Sequence, residues 1–395
     1  MANINLTNAK RAKNDEFYTQ YHDIEIEMNA YLEYDPDVFR GKIVYCNCDD
    51  PFESNFFRYF VLNFNKLGLK QLITTSYKNS PIANTQLKLF GDDNTTTKSK
   101  GRPKITANKF IVSEVHDIDN DGELNLKDVA KQLKANKHND WTPLEGDGDF
   151  RSAECIDLLK QSDIVVTNPP FSLFREYVKQ LFDYNKLFAI IGSLNAITYK
   201  EIFPLIKNNN LWLGNGFHAG NAYFYTPNTR EFASGVFDEK TGLVKFRNVC
   251  WFTNLDHGRR HQPLKLMTMA ENLKYSKHKE LRGKKSYDRY DNYDAIEVPF
   301  TDSIPRDYEG VMGVPISFLD KYSPEQFEIV GMCENEDLYK MKTKIYTTAE
   351  CKQAYLDKFR KKGTYDLNAS GVIVKDGLLE KVYQRVLIKH RITIK

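Results

Sequence analysis

Apolar and aromatic residues recur at helical spacing from Asp23 to Tyr34, at Ile24, Met28, Tyr31 and Leu32, which predicts a helix there. The run Ile43-Val44-Tyr45-Cys46 predicts a short strand. Asn55–Leu67 carries Phe56, Phe57, Phe60, Leu62 and Phe64 and predicts one helix; Leu69–Thr74 predicts a second strand. Phe110–Val115 reads as a strand and Leu126–Leu133 as a helix. The run Asp163–Thr167 predicts a buried strand, Leu173–Phe182 a helix, and Leu187–Ile191 another strand. Alternating strands and helices predict an α/β protein with a doubly wound, parallel sheet. Such a sheet binds ligands at the carboxyl ends of its strands. Beyond about Leu211 the pattern changes to short strands, turns and charge clusters, which divides the chain into residues 1–210 and 211–395.

Two stretches break the pattern. Residues 1–13 are polar and read as a loose arm. Ser80–Lys104 is polar and ends in a basic string with Lys98, Lys100, Arg102 and Lys104. It reads as a mobile surface loop within an insertion spanning residues 80–145. Such a loop is either a solvated linker or a basic finger for DNA phosphate.

Composition narrows the class. A chain of 395 residues is long enough for two domains or for one domain with a large extension, and a hydrophobic fraction of 41% can supply an ordinary core. Net charge is only +3, so any nucleic-acid surface must come from local patches. The six cysteines are scattered, and Cys46 and Cys48 are too close for a usual zinc pair, so free thiols in a reducing cytoplasm are expected. No apolar run is long enough to span a bilayer, so a soluble, cytoplasmic protein is expected.

The chemistry centres on Asn168-Pro169-Pro170-Phe171, directly after the buried strand. An exocyclic amino nitrogen on adenine is a poor nucleophile, because its lone pair is delocalised into the ring. Two acceptors aimed at its N–H groups draw it toward sp³ character. The Asn168 side chain offers one oxygen and the Pro169 carbonyl another. Consecutive prolines restrict the turn that aims them, and Phe171 offers a stacking face. Acceptors placed in advance are electrostatic preorganisation. No metal is expected. The same string also fits an ordinary Pro-Pro turn closing a strand.

Three further segments bear on a nucleoside cofactor. Cys46-Asn47-Cys48-Asp49-Asp50-Pro51 places small and acidic residues between a strand and a helix. Asp49 or Asp50 is suited to ribose hydroxyls or a methionine amino group; Asp50 before Pro51 also reads as a helix cap. Gly146-Asp147-Gly148-Asp149-Phe150 offers an acid for an adenine amino group, and it also fits a common Gly-Asp turn. Lys13–Gln20, the polar, hydroxyl-bearing segment before the first helix that holds Phe17, Tyr18 and Thr19, is suited to closing over the methionine end.

Two weaker signals remain. Asp117-Ile118-Asp119-Asn120-Asp121-Gly122 resembles the start of a calcium loop with Asp128 at the twelfth place, but a strand precedes it, so an acidic turn is the preferred reading. Basic residues cluster at His257–His261, including Arg259 and Arg260, from Lys274 to Arg289, including Lys284 and Lys285, and from Lys381 to Lys395. Each run is either a solvated face or a phosphate contact.

Together these segments resemble the EcoRI-type adenine-N6 DNA modification methylases over nearly the whole chain. Lys13–Glu27, Cys46–Pro51, Asp149-Phe150, Asn168–Phe171 and Tyr308–Pro315 are similar to that family's motifs, in its gamma order. The resemblance implies a Rossmann-like methyltransferase sheet in residues 1–210, with residues 211–395 as a target-recognition region that returns strands to it. It implies S-adenosylmethionine as cofactor, held by Phe17, Tyr18, Thr19, Cys46, Asn47, Asp49, Asp50, Pro51, Asp149, Phe150 and Asn168. It implies catalysis by Asn168–Phe171 on an adenine flipped out of double-stranded DNA. A monomer and an AATT-centred palindrome are also implied, within a restriction-modification system with a cognate endonuclease at the same site or as an orphan modification enzyme. The chain lacks the glycines usual in the first motif, and Thr74-Thr75-Ser76-Tyr77 stands where an acid usually ends the second strand. The alternatives are methylation of protein glutamine or RNA amino groups, and a DNA-binding protein with a degenerate methyltransferase fold.

Overall fold

The structure is a computed structural model and describes residues 18–48, 54–76, 107–135, 138–217, 221–225 and 235–391. Phe17, Asp49, Asp50, Pro51, Lys98, Lys100, Arg102 and Lys104 lie outside the described residues. The chain forms two compact units. One takes residues up to Ile202 together with Leu211–Gly258; the other takes Phe203–Asn210 and the chain from Arg259 onward.

The first unit opens with β1 (Tyr18–Thr19), α1 (Tyr21–Tyr34), β2 (Ile43–Cys46), α2 (Asn55–Leu62), α3 (Phe64–Leu67) and β3 (Gln71–Thr75). There follow β4 (Asn108–Val112), α4 (Leu126–Ala135), β5 (Asp140–Pro143), α5 (Ala153–Gln161), β6 (Ile164–Thr167), α6 (Phe174–Asp183) and β7 (Leu187–Ser193). Its last strands are β8 (Trp212–Leu213), β9 (Asn221–Tyr225), β10 (Phe237–Asp238), β11 (Leu243–Arg247) and β12 (Val249–Thr253).

Among the described residues the main sheet has the order β5-β4-β3-β2-β6-β7-β12-β8. Strands β3, β2, β6 and β7 are parallel. Val44, Ile164, Val165, Val166, Phe188, Ala189, Ile190 and Ile191 are fully buried. A strand covered on both faces reads as a continuous apolar run, which is why these strands were visible in the sequence. Helix α2 packs on β3, α5 on β2 and α6 on β7. Asp163 fixes the register at the start of β6: its Oδ2 accepts from the Ile43 N–H at 2.8 Å, and its N–H donates to the Ile43 carbonyl at 2.9 Å.

The sheet is mixed rather than all-parallel, which corrects the expectation from alternating elements. β4 runs antiparallel to β3 and β5 antiparallel to β4. β12 runs antiparallel to β7, and β8 to β12. A parallel neighbour needs a crossover, usually a helix, and the polar sequence before β4 has no helical period. The predicted helix over Asn55–Leu67 is two helices. Asn63 sits between them outside helical geometry (φ −100°, ψ 8°) and turns its Nδ2 back to the Tyr59 carbonyl at 2.9 Å. Strand β5 and helix α5, capped by the Ser152 side chain on the Cys155 N–H, add elements that the apolar pattern did not show.

A second, antiparallel sheet has the order β1-β9-β11-β10, with Tyr18 opposite Tyr225 and Thr19 opposite Phe224. Chain 214–216 is clamped to α1 beside it. The fully buried Glu27 accepts from Tyr31, and its Oε2 accepts from the Asn215 N–H at 2.8 Å and the Gly216 N–H at 2.5 Å. A Cβ at Gly214 would collide with the Glu27 carboxylate and with Trp251, so glycine is required there.

The second unit is built on β13 (Ala295–Glu297), β14 (Val311–Pro315), β15 (Phe327–Met332) and β18 (Arg385–His390), in the order β13-β14-β18-β15, with a hairpin of β16 (Val372–Lys375) and β17 (Leu378–Lys381). The Tyr308–Pro315 signature thus contributes a central strand, β14, paired with both β13 and β18. A Cβ at Gly313 would strike the Tyr290 ring, so the strand admits that ring only with glycine there. Arg385, counted above among the distal basic residues, is buried. It grips the buried Glu297 through Nε (3.0 Å) and Nη2 (2.6 Å) to Oε1, and Tyr290 donates to the same carboxylate. Removing one member of a buried pair strands the other charge. Arg385→Met is therefore expected to lower stability by about 3–5 kcal/mol. Adding Glu297→Leu should recover most of that loss, as read by chemical unfolding.

Candidate active site

The carboxyl ends of β3, β2, β6 and β7 lie on one edge of the main sheet, because the four strands are parallel. The Thr74–Ser76, Cys46–Cys48 and Asn168–Phe171 segments emerge there side by side. Ligands of open α/β sheets bind at such an edge.

Asn168 follows β6 directly and is half-buried; Pro169 is buried, and Pro170 and Phe171 are half-buried. Pro170 is extended (φ −57°, ψ 121°), and its carbonyl accepts from the Leu173 N–H at 2.9 Å, closing a short 3-10 turn over Phe171–Leu173. That turn runs straight into α6. Phe171 meets Phe246 of β11 edge-to-face at 6.4 Å, so one side of its ring is braced by the second sheet. At the end of β7, a Cβ on Gly192 would press into the Phe174 ring, so glycine lets α6 sit close to the sheet.

Asn47, 3% exposed, joins two of the predicted segments. Its backbone carbonyl accepts from the Thr167 hydroxyl, one residue before Asn168. Its side-chain Oδ1 accepts from the hydroxyl of Tyr177 on α6. Cys48 then turns into the left-handed region at φ +65°. A side chain is uncommon there, and glycine is the residue that takes such a backbone most readily. The sharp turn is thus kept without a glycine.

The acidic turn reaches the same place by another route. Gly148 has φ +80°, and a Cβ on it would run into the Ser76 carbonyl oxygen. The end of β3 therefore receives the Gly148 backbone in a close approach only glycine allows. Ser76 itself accepts from the Asn108 N–H through Oγ (2.9 Å) and donates its N–H to the Asn108 carbonyl (2.9 Å). The Asp149 carboxylate is held by Arg151, through Nε at 2.8 Å and Nη2 at 2.6 Å, and Arg151 also reaches Glu176 at 3.3 Å. Two carboxylates beside it hold the guanidinium pKa above its usual range. Phe150 is buried, meets the Tyr177 ring edge-to-face at 5.0 Å, and its carbonyl accepts from Gln180 Nε2 at 3.1 Å.

Tyr18 and Thr19 are buried in β1, and the Thr19 carbonyl accepts from Asn55 Nδ2 at 2.7 Å at the start of α2. The structure therefore gathers Cys46, Asn47, Asn168–Phe171 and Asp149-Phe150 around one sheet edge, and ties Tyr18-Thr19 to the helix after the Cys46 turn. Tyr177, Arg151 and Gln180 hold these segments through hydrogen bonds to Asn47, Asp149 and Phe150, and sequence reasoning missed them. Tyr177 follows a core period with Phe174, Val178 and Leu181, so nothing in the sequence separates its hydroxyl from an ordinary core position.

The basic residues divide. Arg260 is buried and donates to Asn209, so it is not presented to solvent as a phosphate contact requires. Arg259 pairs with Asp320 at 2.5 Å. Lys284 is exposed and pairs with Asp288 at 2.7 Å, and Lys285 is exposed. The carboxylates of Asp117, Asp119 and Asp128 converge within 4.8 Å. They are engaged by the loop's own groups: Gly122 N–H on Asp117 (2.8 Å), Asn125 N–H on Asp128 (3.1 Å) and Lys131 on Asp119 (3.0 Å). No disulfide joins the six cysteines. Among the described residues no helix is long and apolar enough to cross a membrane.

This sheet edge, with an Asn-Pro-Pro-Phe turn between a buried strand and a helix, is the setting of an amino-group methyltransferase. The profile of the family described as adenine-specific methyltransferase EcoRI matches residues 5–391, and the chain belongs to that family. It is 44% identical over 335 residues to the type II methyltransferase M.EcoRI of Escherichia coli, covering 84% of this chain and 90% of that one. It is 35% identical over 344 residues to the type II methyltransferase M.MpnI of Mycoplasma pneumoniae, covering 86% and 89%. A type II methyltransferase of Mycoplasma genitalium is 36% identical over 336 residues, covering 83% and 86%. No solved structure matches the chain.

The left-handed turn at Cys48 gives a local test. Cys48→Gly is expected to leave stability unchanged or to raise it. Cys48→Val is expected to lower it by about 1–3 kcal/mol, since a β-branched residue is disfavoured at that φ. Thermal unfolding of the two variants measures the difference.

Proposed function

We propose that the carboxyl edge of the main sheet binds S-adenosylmethionine and a flipped adenine side by side, within a Rossmann-like layout completed by β12 and β8. The activity is adenine-N6 methylation of DNA, of the restriction–modification type. The observation that carries the reading is the convergence on Asn47, where a bond from Thr167 joins the cofactor turn to the strand that delivers Asn168 and a bond from Tyr177 joins it to the helix that follows.

The residues present fit the cofactor. Asn47 and Asp149 supply an amide and a carboxylate at adjacent turns, Phe150 supplies an apolar neighbour, and Gly148 brings backbone close to the end of β3. Asp149 is suited to the cofactor adenine, its carboxylate oriented by Arg151. Asp49 and Asp50 are assigned to ribose or the methionine end by their place in the sequence, and Phe17, Tyr18, Thr19, Cys46 and Pro51 are assigned to the same cofactor. When bound, the cofactor supplies an electrophilic methyl group on sulfonium.

The target base is then held by this chain's own groups. The Asn168 side-chain oxygen accepts one N6–H bond and the Pro169 carbonyl the other. Phe171 stacks on the ring, braced by Phe246. Acceptors fixed before the base arrives cost no reorganisation during transfer, and the shared edge places the nitrogen close to the methyl group. Base flipping is needed because N6 is paired inside a duplex. Residues 211–395, apart from the strands β8 and β12 that they return to the main sheet, are assigned to target recognition, with phosphate contacts from Lys284, Lys285 and the basic string Lys98–Lys104. A monomer and a cognate endonuclease at the same site complete the reading.

The test is transfer of labelled methyl groups to DNA, RNA and protein offered in parallel. Label on DNA as N6-methyladenine is expected; label confined to RNA or protein would sink the reading. Asn168→Ala is expected to cut kcat on the order of a hundredfold or more while cofactor affinity stays close to that of the unaltered chain. Full turnover in that variant would remove Asn168 from catalysis.

A further inference from the structure

Tyr177 is fully buried on α6, six residues after Phe171. Its hydroxyl does not point into an apolar core. It donates to the side-chain oxygen of Asn47, 130 positions away in sequence. Its ring meets Phe150 edge-to-face at 5.0 Å, and Gln180, three residues further along the helix, holds the Phe150 carbonyl at 3.1 Å. One helix face thus touches both turns assigned to the cofactor. Burial, first, pushes the phenol well above its ordinary pKa, so the hydroxyl keeps its proton and acts as a donor.

That single donor decides a two-fold choice. An Asn amide can present either its oxygen or its NH₂ in a given direction. With Oδ1 accepting from Tyr177, the NH₂ is committed to the opposite side of the amide. We propose that Tyr177 is a positioning residue that fixes the Asn47 amide, so that its NH₂ donates to acceptor groups of the bound cofactor, while its ring sets Phe150. This rests on the cofactor reading above. Asn47, rather than a glycine-rich turn alone, is then the donor that this glycine-poor motif offers, and Tyr177 is what keeps the donor from turning away.

The test measures binding of S-adenosylmethionine and of S-adenosylhomocysteine to the full chain by calorimetry, with kinetics on duplex DNA. Tyr177→Phe keeps ring and volume and removes the hydroxyl. It is expected to weaken both ligands by about 3- to 10-fold, the equivalent of one buried hydrogen bond, and to raise KM for the cofactor more than it lowers kcat. Asn47→Leu is expected to weaken binding at least as much, and the double variant should be no worse than Asn47→Leu alone, because the two act as one unit. Tyr177→Phe that binds within twofold of the unaltered chain while Asn47→Leu and Asp149→Ala both bind weakly overturns the role of Tyr177 and leaves the cofactor site in place. So does strictly additive loss in the double variant. If Tyr177→Phe fails to fold, Asn47→Leu decides: native affinity there, with Asp149→Ala weakened, overturns the proposal. Native affinity in all the variants, Asp149→Ala included, removes the cofactor site itself.

Discussion

The site depends on how two neighbouring parallel strands end. β2 and β6 are buried on both faces and pair in register, Val44 with Ile164 and Tyr45 with Val165. Where the ladder stops, the strands are still tied together, by the Thr167 hydroxyl on the Asn47 carbonyl. This bond crosses from the turn assigned to the cofactor to the residue before Asn168. Buried polar groups must find partners, and here they find each other across the sheet. The separation between the Asn47 and Asn168 turns is therefore set by strand spacing, which the core enforces.

Around this junction the fold solves the same problem with unusual residues. In the glycine-poor turn after β2, Cys48 accepts a left-handed backbone. Where an acid commonly ends the second strand, Ser76 offers its carbonyl to a close approach by Gly148. Such strain is stored where the surrounding structure over-determines the geometry. Here the surroundings are Tyr177, Phe150 and the buried strands.

Much of this was legible in the sequence, for physical reasons. Strands β2, β6 and β7 are buried on both faces and so appear as apolar runs; Ile43–Cys46 matches its predicted bounds. The Asn168–Phe171 turn was legible because two prolines after a buried strand leave few conformations. Edge strands were harder. β5 has only half-buried and exposed positions, so no periodicity marks it, and the antiparallel direction of β4 depends on a connection whose composition says little. Tyr177 and Arg385 were misread or missed for one reason: burial turns a polar group toward a partner far away in sequence. Arg385 looked like part of a basic run, yet it is committed to Glu297. Tyr177 looked like core, yet its hydroxyl reaches Asn47.

The central claim is that cofactor and target base meet at one sheet edge joined through Asn47. Amide hydrogen exchange with and without S-adenosylhomocysteine addresses it directly. The account predicts slowed exchange at the ends of β2 and β6 and at the Gly148–Arg151 turn together, with the second unit unchanged. Protection confined to the second unit, or to the β1–β9–β11–β10 sheet with no change at Asn47 and Asn168, would contradict it.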